Sequence, residues 1–352
     1  MMEPIQSSRF LQKLYLSLHH RKFNKRLQNQ VRFTDKRIVS LGNLSAGGTG
    51  KTPLGALLLE MALERGFRPA VVLRGYGGKR SASGGLVFDG QRSLMDPADS
   101  GDEAQLYHVK GSRVIVGQNR ARAIEQFAEA CDFIVLDDAF QNPSVYRDVD
   151  LVLLDATVAP DEGGLIPWGR FREPLGALER AHAVILSRAD LARGNANLWH
   201  EAIRSRFPEL PVLYASHVPG RVKPELPAGA RILAVSGIGN PAGFEETLHR
   251  AGFQIEGHRK YSDHHPYRLQ DLRSWQKGWP VITTEKDLVR IRNIVRIPGE
   301  ESRESAVEGP KDQIGPRTGS TYQGSKPCIR GIHYLPIRMH LDERELAALV
   351  FP

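Results

Sequence analysis

The chain has 352 residues, of which 41% are hydrophobic, and a formal net charge of +8. Because that length and apolar content can fill two cores of ordinary size, the composition predicts a globular protein. The sequence contains two cysteines, Cys131 and Cys328, in neither a CxxC nor a Cys/His spacing, which disfavours disulfide frameworks and zinc sites and favours a reducing compartment. The sequence lacks both an apolar run of about eighteen residues and the apolar core of a signal peptide, so we expect neither a membrane span nor export.

Most of the excess charge lies in residues 1–37, which carry nine Lys or Arg against two acidic residues. Residues 8–27 predict a helix with basic residues dense toward its end and apolar residues gathered toward one side, namely Phe10, Leu11, Leu14, Tyr15 and Leu18. This basic amphipathic pattern is typical of a helix that lies in a membrane interface. A helix packed on its own protein, with a solvated basic face, explains the pattern equally well. A nucleic-acid partner is disfavoured, because no recognition motif accompanies the charge.

A glycine-rich turn follows the apolar run at residues 38–41 and precedes a helical pattern, which is the context of a phosphate-binding loop. Backbone N–H groups of such a loop cradle phosphate oxygens, and its residues here are Ser45, Ala46, Gly47, Gly48, Thr49, Gly50, Lys51 and Thr52. Lys51 would reach the β- and γ-phosphates of a nucleotide, and the Thr52 hydroxyl would face Mg²⁺. The start of the helix adds a favourable partial positive charge. Ser45 stands where the pattern usually has its first glycine, so the prediction rests on the other residues and their flanks.

The next strand, at residues 69–73, ends in a glycine-rich turn that carries Arg74 and Tyr76. Ligands bind at the carboxyl ends of parallel strands, so both side chains are candidates for ligand contacts. Residues 79–100 are expected to be mobile, and a helix is predicted to open at residues 101–103. Within that opening, Asp102 is by itself best explained as a charge favoured by the helix dipole.

A continuous apolar run at residues 133–136 ends in Asp137 and Asp138. This is the pattern of a buried parallel strand whose carboxylate organises Mg²⁺, and Gln141 completes the turn that follows. Further strands at residues 148–155 and 183–187 alternate with helices. The alternation predicts an α/β fold with a P-loop NTPase-type doubly wound parallel sheet.

From about residue 208 the alternation restarts, which predicts a second, smaller α/β lobe. We therefore divide the chain into an N-terminal helix at residues 1–30, a P-loop core at residues 31–215 and a C-terminal lobe at residues 216–352. His264 and His265 lie in the densest polar-aromatic cluster of that lobe, but neighbours in an extended turn point apart, which disfavours shared metal ligation. Residues 298–326 are polar and rich in Gly and Pro, and predict a disordered insertion.

Taken together, these blocks resemble the tetraacyldisaccharide 4′-kinase family, the kinases that phosphorylate the disaccharide precursor of lipid A. The phosphate loop alone is shared with many NTPases, whereas its combination with the blocks at residues 236–241 and 283–287 is specific. Ala139 stands where the family usually has glycine, and the stretch at residues 298–326 is longer and more polar than expected. The matching blocks run in family order at residues 42–44, 47–53, 74–77, 101–103, 136–141, 172–175, 236–241, 263–265 and 283–287.

The resemblance implies ATP-dependent phosphorylation of the 4′-hydroxyl of tetraacyldisaccharide 1-phosphate, with ATP and Mg²⁺ as cofactors and a site between the two lobes. It implies that the N-terminal helix anchors a peripheral protein to the cytoplasmic face of the inner membrane, where the glycolipid substrate lies. It also gives the catalytic residues as Lys51, Asp102 and His264, with Asp102 as the base that accepts the proton of the attacking hydroxyl and His264 as its partner from the other lobe.

The same resemblance assigns supporting roles. The implied organisers of Mg²⁺, directly or through water, are Thr52, Asp138 and Glu173. Asp137 and Gln141 would support that shell, and phosphate or substrate contacts are expected from Arg74, Tyr76 and Arg172.

Two other functions share several of these features. A cytosolic small-molecule kinase or ligase would lose nothing on removal of the N-terminal helix. A membrane-associated P-loop ATPase switch of the partitioning type would have the phosphate loop, the acidic strand end and the basic helix. It would not need the blocks around Asp102 and His264, which therefore separate this switch from the tetraacyldisaccharide 4′-kinase hypothesis.

Overall fold

The computed structural model of the chain describes residues 4–45, 47–162, 164–166, 168–275, 278–296 and 328–351. The predicted insertion at residues 298–326 and Ala46 of the phosphate loop lie outside the described residues.

The larger lobe is built on a sheet that has eight strands in the described part of the chain, in the order β3-β4-β2-β5-β1-β6-β7-β8. The strands are β1 (Arg37–Asn43), β2 (Pro69–Leu73), β3 (Gly85–Phe88), β4 (Arg113–Val116), β5 (Phe133–Asp137), β6 (Val149–Asp155), β7 (Ala183–Ser187) and β8 (Val212–Tyr214). The strands from β4 to β8 pair in parallel, whereas β3 pairs antiparallel with β4 at one edge. The predicted doubly wound parallel sheet is therefore confirmed, with one antiparallel strand added.

Helices cover both faces of this sheet, because its central strands are apolar on both sides. On one face α2 (Lys51–Glu64) packs Leu54, Leu58 and Leu59 against alternate residues of β1, β5 and β6. The opposite face is covered by α4 (Arg120–Phe127) and α5 (Arg193–Arg204), which contribute Ile124 and Trp199 to two further clusters. The sheet thus aligns the carboxyl ends of its parallel strands along one edge.

The prediction that residues 79–100 are mobile is wrong for part of that stretch. It contains β3 and the short helix α3 (Pro97–Ser100). Val87 and Phe88 are buried in the cluster that contains Leu54 and Leu58 of α2, and Leu86 packs against the cluster on the other face of the sheet. These contacts and the pairing with β4 hold an edge strand whose flanks are polar in the sequence.

The smaller lobe contains a parallel sheet in the order β11-β10-β12-β13, formed by β10 (Arg231–Ser236), β11 (Gln254–Lys260), β12 (Val281–Thr284) and β13 (Ile332–Leu335). Its helices are α6 (Pro241–Arg250), α7 (Leu269–Trp275) and α8 (Glu285–Arg292). Asn240 caps α6 by accepting from the N–H of Gly243, and Thr284 caps α8 by accepting from the N–H of Asp287. The blocks at residues 236–241 and 283–287 are therefore strand-to-helix turns at the carboxyl edge of this second sheet.

Two antiparallel strands, β9 (Ser216–Pro219) and β14 (Ile337–His340), join the lobes. After β14 the chain returns to the larger lobe, where α9 (Glu343–Val350) buries Leu346 and Val350 in the same cluster as α2. The end of the range 216–352 therefore packs on the first sheet and completes its core.

The N-terminal helix α1 (Pro4–Gln28) has two different faces. One face contacts the larger lobe through Gln12, which donates to the carbonyl of Leu165, and through His19 and Phe23. On another face Leu11, Leu14 and Leu18 are between 42% and 50% exposed. None of the described helices is long and apolar enough to cross a bilayer.

Candidate active site

The phosphate loop connects β1 to α2 at the carboxyl edge of the first sheet. Asn43, the last residue of β1, donates its amide to the Thr49 hydroxyl at 3.2 Å and to the carbonyl of Gly47 at 3.4 Å. Gly50 opens α2 with φ 92°, a left-handed conformation that glycine adopts at little cost. His217 of β9 lies against this glycine, because a Cβ on Gly50 would come within 2.6 Å of His217 Nε2.

Arg188, directly after β7, contacts the backbone of the phosphate loop. Its guanidinium donates to the carbonyl of Gly48 and to the carboxylate of Asp155. A carbonyl that is bound in this way is turned away from a ligand, which leaves the loop N–H groups to face an anion. Sequence reasoning missed this contact, since Arg188 stands 140 residues from Gly48.

Asp138 lies beside the lysine of the loop. Its carboxylate is 3.3 Å from Lys51 Nζ and accepts from Arg172 Nη1 at 3.0 and 3.1 Å. Burial by itself would raise the pKa of Asp138, but the charges of Lys51 and Arg172 lower it to about 2. A carboxylate that stays ionised next to a lysine suits a site that neutralises phosphate and metal charge together.

Asp137 lies one residue earlier and is buried. The Tyr107 hydroxyl donates to its Oδ2 at 3.2 Å, and Oδ1 has no hydrogen-bond partner among the described residues. Burial raises the pKa of Asp137 to about 6, although the Lys51 charge opposes this shift. Arg120 donates to the backbone carbonyls of both aspartates, at 2.6 and 3.2 Å, and so fixes the turn that carries them.

Glu173 is 1% exposed and has partners of its own. Arg180 Nη2 donates to both its oxygens, at 3.0 and 2.8 Å, His19 Nε2 donates to Oε1 at 2.9 Å, and Gln141 Nε2 donates to Oε2 at 3.2 Å. Burial would raise the pKa of Glu173, but the hydrogen bond from His19 and the charge of Arg180 bring it below its ordinary value. The carboxylate thus ties the N-terminal helix to the loop that follows β6.

A strongly basic cavity lies between α1 and the carboxyl edge of the first sheet. Asp138 and Gln141 line one side of it, and Tyr15 and His19 of α1 line another. Four of the residues that line it are arginines, namely Arg26, Arg74, Arg120 and Arg172. Tyr76, in the same turn as Arg74, is exposed to solvent.

Asp102 and His264 are brought close through a third residue. Arg290 of α8 donates from Nε to Asp102 Oδ2 at 2.9 Å and from Nη2 to His264 Nδ1 at 3.2 Å. In the described part of the chain the two predicted catalytic side chains bond to Arg290 and not to each other. Asp102 precedes a short 3-10 helix, Glu103–Leu106, and makes no side-chain cap hydrogen bond to it. A second ion pair across the same boundary joins Lys286 to Glu103 at 3.8 Å.

Comparison with known proteins decides the family. A family model described as LpxK, tetraacyldisaccharide-1-P 4′-kinase, matches residues 7–307. The chain is 36% identical to the tetraacyldisaccharide 4′-kinase of Chlorobium limicola over 276 residues, which cover 72% of this chain and 77% of that protein. This chain belongs to the tetraacyldisaccharide 4′-kinase family.

Other relatives agree with that assignment. The tetraacyldisaccharide 4′-kinase of Aeromonas hydrophila is 35% identical over 264 residues, which cover 73% of this chain and 74% of that protein. The crystal structure of LpxK from Aquifex aeolicus in complex with ATP superposes with a TM-score of 0.68 over 97% of this chain and 96% of that chain, at 20% identity. At that identity the likeness concerns the fold of this family.

In this member of the family, sequence reasoning missed several side chains that contact the predicted site residues. They are basic or aromatic residues from distant elements, namely His19, Tyr107, Arg120, Arg180, Arg188, His217 and Arg290. A lone arginine within a helix carries no local signal of its partner, so such contacts emerge only when the fold brings the segments together.

Proposed function

We propose that this chain transfers the γ-phosphoryl group of ATP to the 4′-hydroxyl of tetraacyldisaccharide 1-phosphate, the precursor of lipid A. The observation that carries the proposal is the meeting of two sites across the lobe boundary. The larger lobe supplies a phosphate loop with Lys51 beside Asp138, and Arg290 of the smaller lobe holds Asp102. Phosphoryl transfer needs positioning and charge neutralisation more than covalent help, and both are present here.

The phosphate loop would bind the nucleotide. Loop N–H groups and Lys51 would hold the β- and γ-phosphates, and the start of α2 adds a partial positive charge. Loss of the lysine would remove a partner for charge that develops on the transferred phosphoryl group.

A magnesium ion fits the residues beside the loop. Asp137 Oδ1 is buried without a hydrogen-bond partner in the described part of the chain, and oxygen atoms are the ligands that Mg²⁺ prefers. Thr52, Asp138 and Asp137 would hold the ion, with Gln141 acting through water. Glu173 would support Gln141 instead of the ion, because its oxygens already accept from Arg180, His19 and Gln141. When bound, it would neutralise charge on the β- and γ-phosphates.

Asp102 would accept the proton of the attacking sugar hydroxyl. Its Oδ2 accepts from Arg290, and Oδ1 has no protein partner among the described residues. A carboxylate held on one oxygen and open on the other can take a proton as the new bond forms. His264 would act with it as its partner from the smaller lobe.

The basic cavity would receive the acceptor. The acceptor carries an anionic 1-phosphate, and the four arginines that line the cavity are suited to bind phosphate oxygens. Arg74, Tyr76 and Arg172 would make these contacts. Because α1 lines the same cavity, a glycolipid would reach the phosphate loop along this helix.

We extend the proposal to the membrane. The exposed leucines of α1 lie at spacings of three and four residues, and Arg21, Lys22 and Lys25 continue the same side of the helix. Apolar side chains followed by cations along one side suit a helix that enters an interface of anionic lipids at an angle. The protein would therefore act as a peripheral enzyme on the cytoplasmic face of the inner membrane.

The partitioning-type ATPase switch is not favoured. The family shown by the comparisons is one of kinases. A switch would not need the Asp102 carboxylate, which Arg290 of the other lobe holds by one oxygen.

The proposal is tested with purified protein, labelled ATP and the tetraacyldisaccharide 1-phosphate. Wild type should phosphorylate the glycolipid, and Lys51→Ala should lower the rate at least about 1,000-fold while the protein stays folded. Lys110→Ala, which removes an exposed lysine of the same lobe, is the matched control and should keep the wild-type rate. Near wild-type transfer by Lys51→Ala would reject the kinase mechanism.

A further inference from the structure

Arg290 is a buried cation with four partners. Its side chain is 7% exposed, and besides Asp102 and His264 it donates from Nη1 to Asp287 Oδ1 at 3.0 Å and to the carbonyl of Gly237 at 3.0 Å. Two of these partners, Asp287 and Gly237, belong to strand-to-helix turns of the smaller lobe. The other two are the residues to which the proposed function gives proton transfer.

The smaller lobe fixes this guanidinium by itself. Asp287 is fully buried and accepts from the N–H of Gly237 at 3.0 Å, from the Thr284 hydroxyl at 2.7 Å and from the Tyr267 hydroxyl at 3.0 Å. A buried charge persists only where partners satisfy it, and here every partner named above has a fixed place at the carboxyl edge of the second sheet. Contacts within the smaller lobe therefore orient the remaining N–H groups of Arg290, independently of Asp102.

The contact with His264 determines where that ring carries its proton. A guanidinium can only donate, so Nδ1 of His264 must offer its lone pair. The proton of the neutral ring then lies on Nε2, which makes Nε2 a donor and leaves Nδ1 unable to act as a base. His264 has φ 59°, a left-handed backbone conformation that is uncommon among residues other than glycine.

We propose that Arg290 is a positioning residue that joins Asp102 and His264 into one unit across the lobe boundary. It occupies Oδ2 of Asp102, which leaves Oδ1 for the acceptor, and it holds His264 as the Nε2–H tautomer, with Nε2 3.9 Å from the Asp263 carboxylate. The inference rests on the proposed function, because it takes Asp102 as the base. It adds that Asp102, in the larger lobe, is positioned as a base by a residue of the smaller lobe.

The kinetic test uses Arg290→Lys, which keeps the charge beside Asp287 but cannot contact Asp102, His264 and Asp287 with one planar fork. We expect kcat to fall by roughly 10- to 100-fold, the effect of a misplaced catalytic group, with an unchanged KM for ATP because the nucleotide is held by the other lobe. The matched control is Arg292→Lys, two residues along the same helix, where the guanidinium lies over the Tyr334 ring. This control should keep both constants.

A double variant separates positioning from mere stability. If Arg290 acts through the same unit, Arg290→Lys combined with His264→Ala should be little slower than the slower single variant. Fully multiplicative losses, a raised KM for ATP, or an equal loss in Arg292→Lys would overturn the inference. Asp102→Asn is measured in parallel: wild-type kcat in that variant would reject the proposed base, whereas an inactive Asp102→Asn with a fully active Arg290→Lys would reject only the role of Arg290.

A measurement on the wild-type protein covers the case in which Arg290→Lys fails to fold. Nitrogen-15 NMR of histidine-labelled protein, with the His264 signals assigned by their loss in His264→Ala, reports which ring nitrogen is protonated. We expect a protonated Nε2 and an unprotonated Nδ1. The opposite tautomer would contradict the contact on which the inference depends.

Discussion

Asp137 and Asp138 are neighbours in sequence but lie in opposite electrostatic environments. Asp138 has φ 50° and contacts Lys51 and Arg172, whereas Asp137 is buried in the interior. The pKa is about 2 for Asp138 and about 6 for Asp137. One carboxyl is thus ionised throughout the physiological range, and the other changes its charge near the lower end of it.

The raised pKa of Asp137 predicts how stability changes with pH. Its value of about 6 in the folded protein exceeds the ordinary value of about 3.9, so the native state holds this proton more tightly than the unfolded chain. The corresponding stability is complete below about pH 4 and is lost as the pH rises through about 6. The loss is on the order of 3 kcal/mol.

Asp137→Asn removes this titration. Urea unfolding of wild type and variant at several pH values between 4 and 7 should therefore show the variant gaining stability relative to wild type by an amount of that order as the pH rises. Asp138→Asn is the contrasting variant, because its carboxyl is already ionised in the folded protein across this range. Its difference from wild type should therefore vary much less with pH, and what variation remains reflects the charge of Asp138 beside Asp137. A constant difference for Asp137→Asn would contradict the burial of its proton.

At the scale of residues, the sequence identified the side chains that would take part in the reaction, but not the side chains that position them. Asp137, Asp138 and Lys51 could be predicted because strand, turn and helix follow each other locally and confine these side chains to one edge. The partners of Asp102 and Glu173 could not, since Arg290 lies 188 residues from Asp102 and His19 lies 154 residues from Glu173. Their contacts depend on the packing of whole elements.

The N-terminal helix is the element in which sequence and structure differ most. The sequence groups Tyr15 with the leucines, but the structure divides them: Tyr15 faces the basic cavity, while Leu11, Leu14 and Leu18 are exposed. The face that carries Gln12, His19 and Phe23 packs on the protein, whereas membrane contact stays a prediction for the face that is left to solvent. Periodicity alone could not divide the faces, since an aromatic residue next to an apolar stripe fits either one.

The exposed leucines give a prediction for membrane binding. Changing Leu11, Leu14 and Leu18 together to Gln should weaken binding to anionic liposomes by roughly 100-fold, if each side chain contributes about 1 kcal/mol of the 1.5–3 kcal/mol available on full burial. The stability of the protein should change little, because these side chains lie away from Gln12, His19 and Phe23. Liposome co-sedimentation and thermal unfolding provide the two measurements.

A matched triple variant controls for the loss of exposed apolar surface. Leu94, Leu198 and Val218 lie outside α1 and are between 43% and 50% exposed, so changing these three to Gln removes similar apolar side chains from other places. Liposome binding should survive in this control. Equal losses in both triple variants, or none in either, would leave the helix as an ordinary packed element.

The molecule as a whole divides its chemistry between the lobes. The larger lobe carries the phosphate loop and the acidic pair, and the smaller lobe carries His264 and Arg290. Among the residues that the structure describes, three ion pairs span the boundary, joining Arg290 to Asp102, Lys286 to Glu103 and Arg250 to Asp190. Nucleotide binding and acceptor activation should therefore be separable by mutation.

Ligand-dependent stability tests that separation. ATP with Mg²⁺ at 100 times its Kd should stabilise the folded protein by about 2.7 kcal/mol. His264→Ala should keep this effect, because its side chain lies outside the phosphate loop, whereas Lys51→Ala should lose most of it. Unfolding curves with and without nucleotide give the comparison, and loss of the effect in His264→Ala would place that histidine in the nucleotide site instead.

The two-lobe architecture could be predicted because the alternation of strands and helices restarts after a break. The return of residues 337–351 to the larger lobe could not, because the amphipathic pattern of α9 shows that one face is buried and not which core buries it.

That return has a consequence for how the chain acquires its structure. Phe351 stacks on Phe133 with ring centroids 5.2 Å apart, and Arg65 lies 4.6 Å over the Phe351 ring. The first sheet therefore cannot finish its core until residues made after the entire smaller lobe have become available. Domains generally fold in the order of their synthesis. Here the larger lobe, which is synthesised first, needs the last residues of the chain to complete its core. A nascent chain that stops after β8 would leave the α2 face of its sheet partly uncovered, a state open to aggregation and to capture by chaperones.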